Sequence, residues 1–290
     1  MIRGFKITGE LLARNRLWLN FSLMSYLNAT QKTALCQHNR KERPMNIEHI
    51  LHGDMPGDKI AIEQHHIEKA QRIYPLLEQM ILAPKTVVCV CGGSGVGKSE
   101  IASLLAGMLC EEGMPAYVMS GDNYPRRIPM ENDAHRLEVY NQGGREALAD
   151  YLGSPAEIDF DLVDNILRKF KAGEQSISLK RMGRKKEELW FENVDFSNCQ
   201  VLILEWTHGN SDHLTQVDIP ILLNSTPQET LEHRRKRNRD KGVDSPFTTM
   251  VLELEQQQLV RQAHKAKIIV AKSGNLMTYE EFCDLMGVTK

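Results

Sequence analysis

The 290-residue chain has no run of about 18 apolar residues, so nothing in it predicts a membrane-spanning helix. It has no excess of either charge. Its 36 Lys and Arg stand against 38 Asp and Glu, a net charge of -2, which argues against a dedicated nucleic-acid binder. It has no Cys-x-x-Cys pair, so its six cysteines signal neither a zinc site nor a redox motif. Cys89 and Cys91 alternate within an apolar run, as reduced strand residues do, and a reducing, cytoplasmic setting fits. Pro and Gly stand at ordinary levels, which excludes collagen-like and low-complexity chains, and no internal repeat is visible. What remains is an ordinary globular composition, 41% apolar and 26% charged, long enough to bury a large core.

Residues 1–44 differ from the rest, with eight basic residues and two acidic ones. The Leu17–Leu27 stretch is broken by Asn20, Ser22 and Ser25, too polar for a clean secretory signal. The expectation is a poorly ordered basic extension, or the product of an upstream start codon with Met45 as the working start. Residues 45–84 follow as a helical lead-in, with helical spacing of apolar residues over 58–83 and Pro75 kinking or splitting the helix. His65 and His66 are adjacent on it and face different directions, so they predict no shared metal site.

From Thr86 the pattern changes to short β-branched runs alternating with helical segments. Strands are predicted at 86–91, 115–120, 200–205, 219–224 and 267–271, and a helix at 99–112. This alternation predicts an α/β fold: a mostly parallel, five-stranded sheet with helices on both faces.

Gly92-Gly93-Ser94-Gly95-Val96-Gly97-Lys98-Ser99 follows the first strand and opens the first helix. It matches G-x-x-x-x-G-K-[ST] in the context that motif requires. Glycines let successive N–H groups point inward around an anion, and the helix N-terminus, running into Glu100, adds positive potential. Lys98 is positioned to reach the β- and γ-phosphates and Ser99 to hold Mg²⁺. The chain is therefore expected to bind ATP with Mg²⁺.

Ligands in open α/β sheets sit at the carboxyl ends of the strands, so the polar residues there name the chemistry. Asp122 ends the second strand, where a carboxylate can take a proton from an acceptor hydroxyl. Glu205 ends the third, where it can serve the metal; His208 follows it. Pro227 to Gly242 reads as a short helix dense in Arg234, Arg235, Lys236, Arg237 and Arg239. No aromatic interleaves with these charges, which argues against nucleic acid. A lid whose arginines close over a transferring phosphoryl group is the alternative to a solvated basic face.

Phosphate loop, Asp122, Glu205 and Arg-rich lid, in that order, resemble the phosphoribulokinase/uridine kinase family of P-loop kinases over roughly 85–274. Asp122-Asn-Tyr124, Glu205-Trp-Thr-His208, Arg235 with Arg239-Asp240, and Pro155…Asp159…Leu162 carry the resemblance. It implies a three-layer P-loop NTPase fold over 85–290 with an Arg-rich lid. It also implies Asp122 as catalytic base, with Lys98, Glu205, Arg235 and Arg239 around the reacting phosphate. The acceptor it implies is a hydroxyl of a nucleoside, sugar, sugar phosphate or pantothenate-like metabolite. Uridine kinases carry an aspartate where Gly153 stands here, and the pyrimidine-reading segment is replaced by Ile177–Lys186. Lys180, Arg181, Arg184, Lys185 and Lys186 there allow an anionic acceptor or a solvated loop. Gly121-Asp122-Asn123 also looks like the Gly-Asp-Asn of adenylylsulfate kinases, an alternative acceptor; a nucleotide-sensing regulatory ATPase is the alternative of another class. Neither a nucleic-acid nor a membrane partner is expected, and no assembly signal is present.

Overall fold

The computed structural model describes residues 60–237 and 245–288. The N-terminal extension therefore lies outside the described residues, as do Arg239 and Asp240 of the lid motif.

Helix α1 (Gln64–Met80) is followed by β1 (Thr86–Gly92), α2 (Lys98–Glu111) and β2 (Ala116–Ser120). Then come α3 (Pro129–Tyr151), α4 (Phe160–Lys171), the hairpin β3 (Ser176–Met182) and β4 (Leu189–Asp195), and β5 (Val201–Glu205). The chain continues through β6 (Ile219–Leu223), α5 (Leu231–Arg237), α6 (Pro246–Gln262), β7 (Ile268–Val270), β8 (Leu276–Met277) and α7 (Tyr279–Met286). The main sheet runs β2-β5-β1-β6-β7-β8. All its pairings are parallel except β7 with β8.

The five expected strands all form. The sheet has six rather than five because Leu276–Met277 pairs antiparallel with Ile269 and Val270. Two residues after a turn are too short to carry a periodic signal, and only the exposed edge of β7 makes them a strand. The β3–β4 hairpin also escaped the sequence reading, which took 177–186 as an acceptor-contacting basic segment or a solvated loop.

The central strands are apolar throughout because both faces are covered. All seven residues of β1 and all five of β5 and of β6 are buried. α4 shows the complementary pattern, burying Phe160, Val163, Ile166, Leu167 and Phe170 as one stripe. Asp159 caps it by accepting from the N–H of Leu162, and Arg168, Lys169 and Lys171 oppose the dipole at its other end. α1 runs unbroken through Pro75, whose missing donor leaves the carbonyl of exposed Gln71 to solvent. It buries Ala70, Ile73, Tyr74 and Leu77, and each large apolar side chain contributes about 1.5–3 kcal/mol on burial.

No described helix is long and apolar enough to cross a membrane. The five cysteines among the described residues are free thiols, and Cys89 and Cys91 are buried in β1 as expected.

Candidate active site

The parallel strands β2, β5, β1 and β6 end on one side, and the phosphate loop lies there between β1 and α2. Its last glycine, Gly97, caps α2 with φ 95°, a left-handed conformation that L side chains resist. A Cβ on Gly97 would also stand 2.9 Å from the ring of His66, so α1 packs directly against the loop. His66 is buried, and burial pushes its pKa down to about 4, so its ring is neutral. Its Nδ1 accepts from the N–H of Glu63. It meets His233 of α5 edge-on at 6.3 Å, which ties α1, loop and lid helix together. Lys98 folds back so that Nζ donates to the carbonyl of Gly93 at 3.2 Å.

Glu205, at the end of β5, connects this loop to β2. Ser99 Oγ donates to one carboxyl oxygen at 3.3 Å and Ser120 Oγ to the other at 2.9 Å. Burial, with the nearby charge of Asp122 adding, pushes the Glu205 pKa up to about 8 against the pull of Lys98 and the two hydroxyls. A cation at this carboxylate would relieve that penalty, so the donor set fits one. Among the described residues no group of three or more His, Cys, Asp and Glu could hold a metal ion. Mg²⁺ is typically held by one or two protein oxygens plus substrate phosphates, and Ser99 with Glu205 meets that pattern.

Asp122 sits in a single 3₁₀ turn, Gly121–Asn123, directly after β2. Its side chain is exposed while both neighbours are buried, and each neighbour has a structural task. A Cβ on Gly121 would fall 2.0 Å from the indole of Trp206, so only glycine lets that ring pack there. Asn123 accepts from the N–H of Met182 at 2.9 Å, which holds the hairpin beneath the turn. The Gly-Asp-Asn triplet thus has a packing explanation within this fold.

The lid helix α5 brings Arg234 onto the phosphate loop. A Cβ on Gly95 would lie 2.8 Å from Arg234 Cγ, and Arg234 donates to the carbonyl of Pro227 and the hydroxyl of Thr230. Arg235 is exposed. Five consecutive cationic or near-consecutive positions look alike in the sequence, and only helix phase against the loop separates them.

The basic segment of the hairpin splits in two. Lys180 donates to the carbonyl of Pro125 at 2.7 Å, while Arg181 pairs with Glu192 and donates to the hydroxyl of Tyr117. Arg184, Lys185 and Lys186 are exposed.

A cluster of polar residues that the sequence reading did not single out, apart from His208 and Gly153, gathers around Glu157 and Arg136. Glu157, fully buried, accepts from Arg136 Nε at 2.6 Å, Asn132 Nδ2 at 2.9 Å and the N–H of Gly153 at 2.7 Å. Burial raises this carboxyl, but Arg136 and the N–H of Gly153 outweigh it and hold the pKa below the usual carboxylate range. His208 is buried beside Trp206, and burial pushes its pKa down to about 4. Arg136 also reaches Glu255 of α6 at 3.7 Å. Glu157 lies 21 residues from Arg136 and 25 from Asn132, with Glu255 about a hundred further on, so no local spacing announces the cluster.

A model of the phosphoribulokinase/uridine kinase family matches residues 87–244, more than half of the chain. The bifunctional alpha-galactosidase/sucrose kinase AgaSK of Mediterraneibacter gnavus is 43% identical over 218 residues, which are 74% of this chain and 23% of that protein. The chain therefore spans less than a quarter of that relative's length. Among solved structures, D-glycerate 3-kinase from Cryptococcus neoformans superposes with a TM-score of 0.52 at 13% identity, covering 72% of this chain and 97% of that one. Phosphoribulokinase from Rhodobacter spheroides gives 0.49 at 16% identity over 64% and 69%. The fold is that of a three-layer P-loop NTPase, and the chain belongs to the phosphoribulokinase/uridine kinase family, kinases that phosphorylate hydroxyl groups.

Proposed function

We propose that the chain transfers the γ-phosphoryl group of ATP to a hydroxyl of a sugar. The observation that carries this reading is the convergence of the phosphate loop, buried Glu205 and exposed Asp122 at one end of the sheet. The sugar acceptor is supported by the 43% identity to a protein whose name includes sucrose kinase. It is also supported by Lys180 and Arg181 being engaged within the protein rather than offered to an anionic acceptor.

In this reading the loop N–H groups of residues 92–99 and Lys98 hold the phosphates, and Ser99 and Glu205 hold Mg²⁺. Bound there, the ion neutralises charge on the phosphate oxygens. Asp122 accepts the proton of the acceptor hydroxyl, whose oxygen forms the new bond to phosphorus as the bond to the β–γ bridging oxygen breaks and ADP leaves. Arg234, Arg235 and Arg239 of the lid face the charge that builds on the transferring group and exclude water.

The test is ADP release with Mg²⁺ATP and a panel of sugars, sugar phosphates, glycerate, nucleosides and adenylylsulfate. A sugar should stimulate release, and Asp122→Asn should lower the stimulated rate about 10²–10⁴-fold while leaving ATP affinity nearly unchanged. Undiminished transfer by Asp122→Asn would remove Asp122 as the base. Release that no acceptor stimulates would favour a regulatory ATPase.

A further inference from the structure

The polar cluster around Arg136 contains two carboxylates that share its guanidinium, and they are not equivalent. Glu157 is saturated: three donors converge on it from α3 and from the backbone of Gly153. Glu255 makes one longer contact, 3.7 Å to Arg136 Nη2, and its side chain is only 11% exposed. A buried carboxylate has about four lone-pair positions, and a single long ion pair leaves most of them without a donor. Such a group is costly to keep unless something else supplies hydrogen bonds.

The placement of α6 says what that would be. Gln256, next in sequence, has its amide oxygen 3.7 Å from the Cβ position of Gly93 in the phosphate loop. Gln258, on the Glu255 face of the helix, donates to the carbonyl of Leu152, and its amide oxygen lies 2.6 Å from the Cβ position of Gly153. The Nδ1 of His208 lies 2.8 Å from that same position. α6 therefore runs past both the phosphate loop and the turn at Gly153, and Glu255 lies on the Gln258 face of the helix, one turn before it. The charges of Lys98 and Asp122 both reach it, and burial raises its pKa.

Resting on the sugar-kinase reading, we propose that Glu255, steadied by Arg136, hydrogen-bonds hydroxyls of the acceptor and selects a neutral, polyhydroxylated molecule over a phosphorylated one. Ionised, a carboxylate is a pure acceptor and suits paired hydroxyl donors. Glu157 and Glu255 place two carboxyl groups on a single Arg136, and the charge of Asp122 also reaches Glu255, so the excess of negative charge repels an acceptor phosphate.

The experiment measures acceptor and ATP KM separately for the wild type, Glu255→Gln and Glu255→Ala, with neutral sugars and their phosphates. Hydrogen bonds to a charged group predict a rise in acceptor KM of about 10- to 100-fold for Glu255→Ala and a smaller one for Glu255→Gln, with kcat and ATP KM within about twofold. Glu255→Gln keeps shape and one acceptor oxygen, so it serves if the alanine variant does not fold. Acceptor KM unchanged in a folded variant overturns the assignment. A wild type that prefers the sugar phosphate also overturns it while leaving the kinase reading intact. A wild type that no sugar stimulates removes both.

Discussion

The two ends of the cleft are built differently. The phosphate end comes from one continuous segment, 92–99, which holds its shape through its own backbone and three glycines at positive φ, Gly92, Gly95 and Gly97. The end at which we place the acceptor comes from four separate segments: α3, the turn at 153–157, the residues after β5, and α6. The first is local and tolerates change elsewhere. The second exists only when all four segments dock, so stability and specificity are joined there. A single ion pair, Glu157 with Arg136, fastens two of those segments.

The comparison can be broken most severely at Glu157. Glu157→Gln leaves the Arg136 charge buried with only the longer Glu255 contact, and breaking a buried pair costs about 3–5 kcal/mol. Urea unfolding should show that loss; a change below about 1 kcal/mol would mean that the acceptor wall is not fastened there.

Lys98→Ala should do the reverse. It should leave unfolding free energy nearly unchanged and lower stimulated ADP release by about 10²–10³-fold, the usual cost of removing one donor aimed at developing charge. Large destabilisation by this variant would erase the contrast between the two ends.

A third prediction concerns pH. Glu205 has a folded pKa of about 8 against an ordinary 4.5, so the folded protein holds a proton that the unfolded chain releases. The associated stability is present below pH 4.5 and is lost as pH rises through about 8, with a slope of at most about 1.4 kcal/mol per unit. Glu205→Gln should flatten this slope in urea titrations between pH 5 and 9, and Mg²⁺ATP should reduce it in the wild type. A slope that survives the substitution would assign it to another group.

The smallest effect is expected at the hairpin. Arg184→Ala and Lys185→Ala should change acceptor KM by less than about twofold, since both side chains are exposed and a neutral acceptor has no use for them. A tenfold rise would return weight to an anionic acceptor.

How legible each part was follows from how far apart its pieces lie. The strands at 86–92, 201–205 and 219–223 are apolar runs that announce themselves, and the phosphate loop is a contiguous string. Asp122 and Glu205 were readable because each directly ends such a run. Arg234 was not separable from Arg235, because which of two neighbours faces the loop depends on how α5 is seated. His66 read as either solvated or at the edge of the core on an amphipathic helix, and the packing of α1 against Gly97 buries it. Lys180 and Arg181 read either as contacts for an anionic acceptor or as part of a solvated loop, yet their partners, Pro125 and Glu192, are supplied by the turn and by the pairing strand.

By itself, then, the sequence determined the α/β alternation, the phosphate loop and the two strand-end acids. Each is encoded within a dozen residues, by hydrophobic period or by backbone freedom at glycine. Tertiary structure alone decided which arginine covers the loop, which basic residues are consumed internally, and that Glu157 and Glu255 meet at Arg136. Those are contacts between segments far apart in the chain. Burial, which settles both the charge state and the partner of each group there, is a property of the packed layers and not of any stretch of sequence.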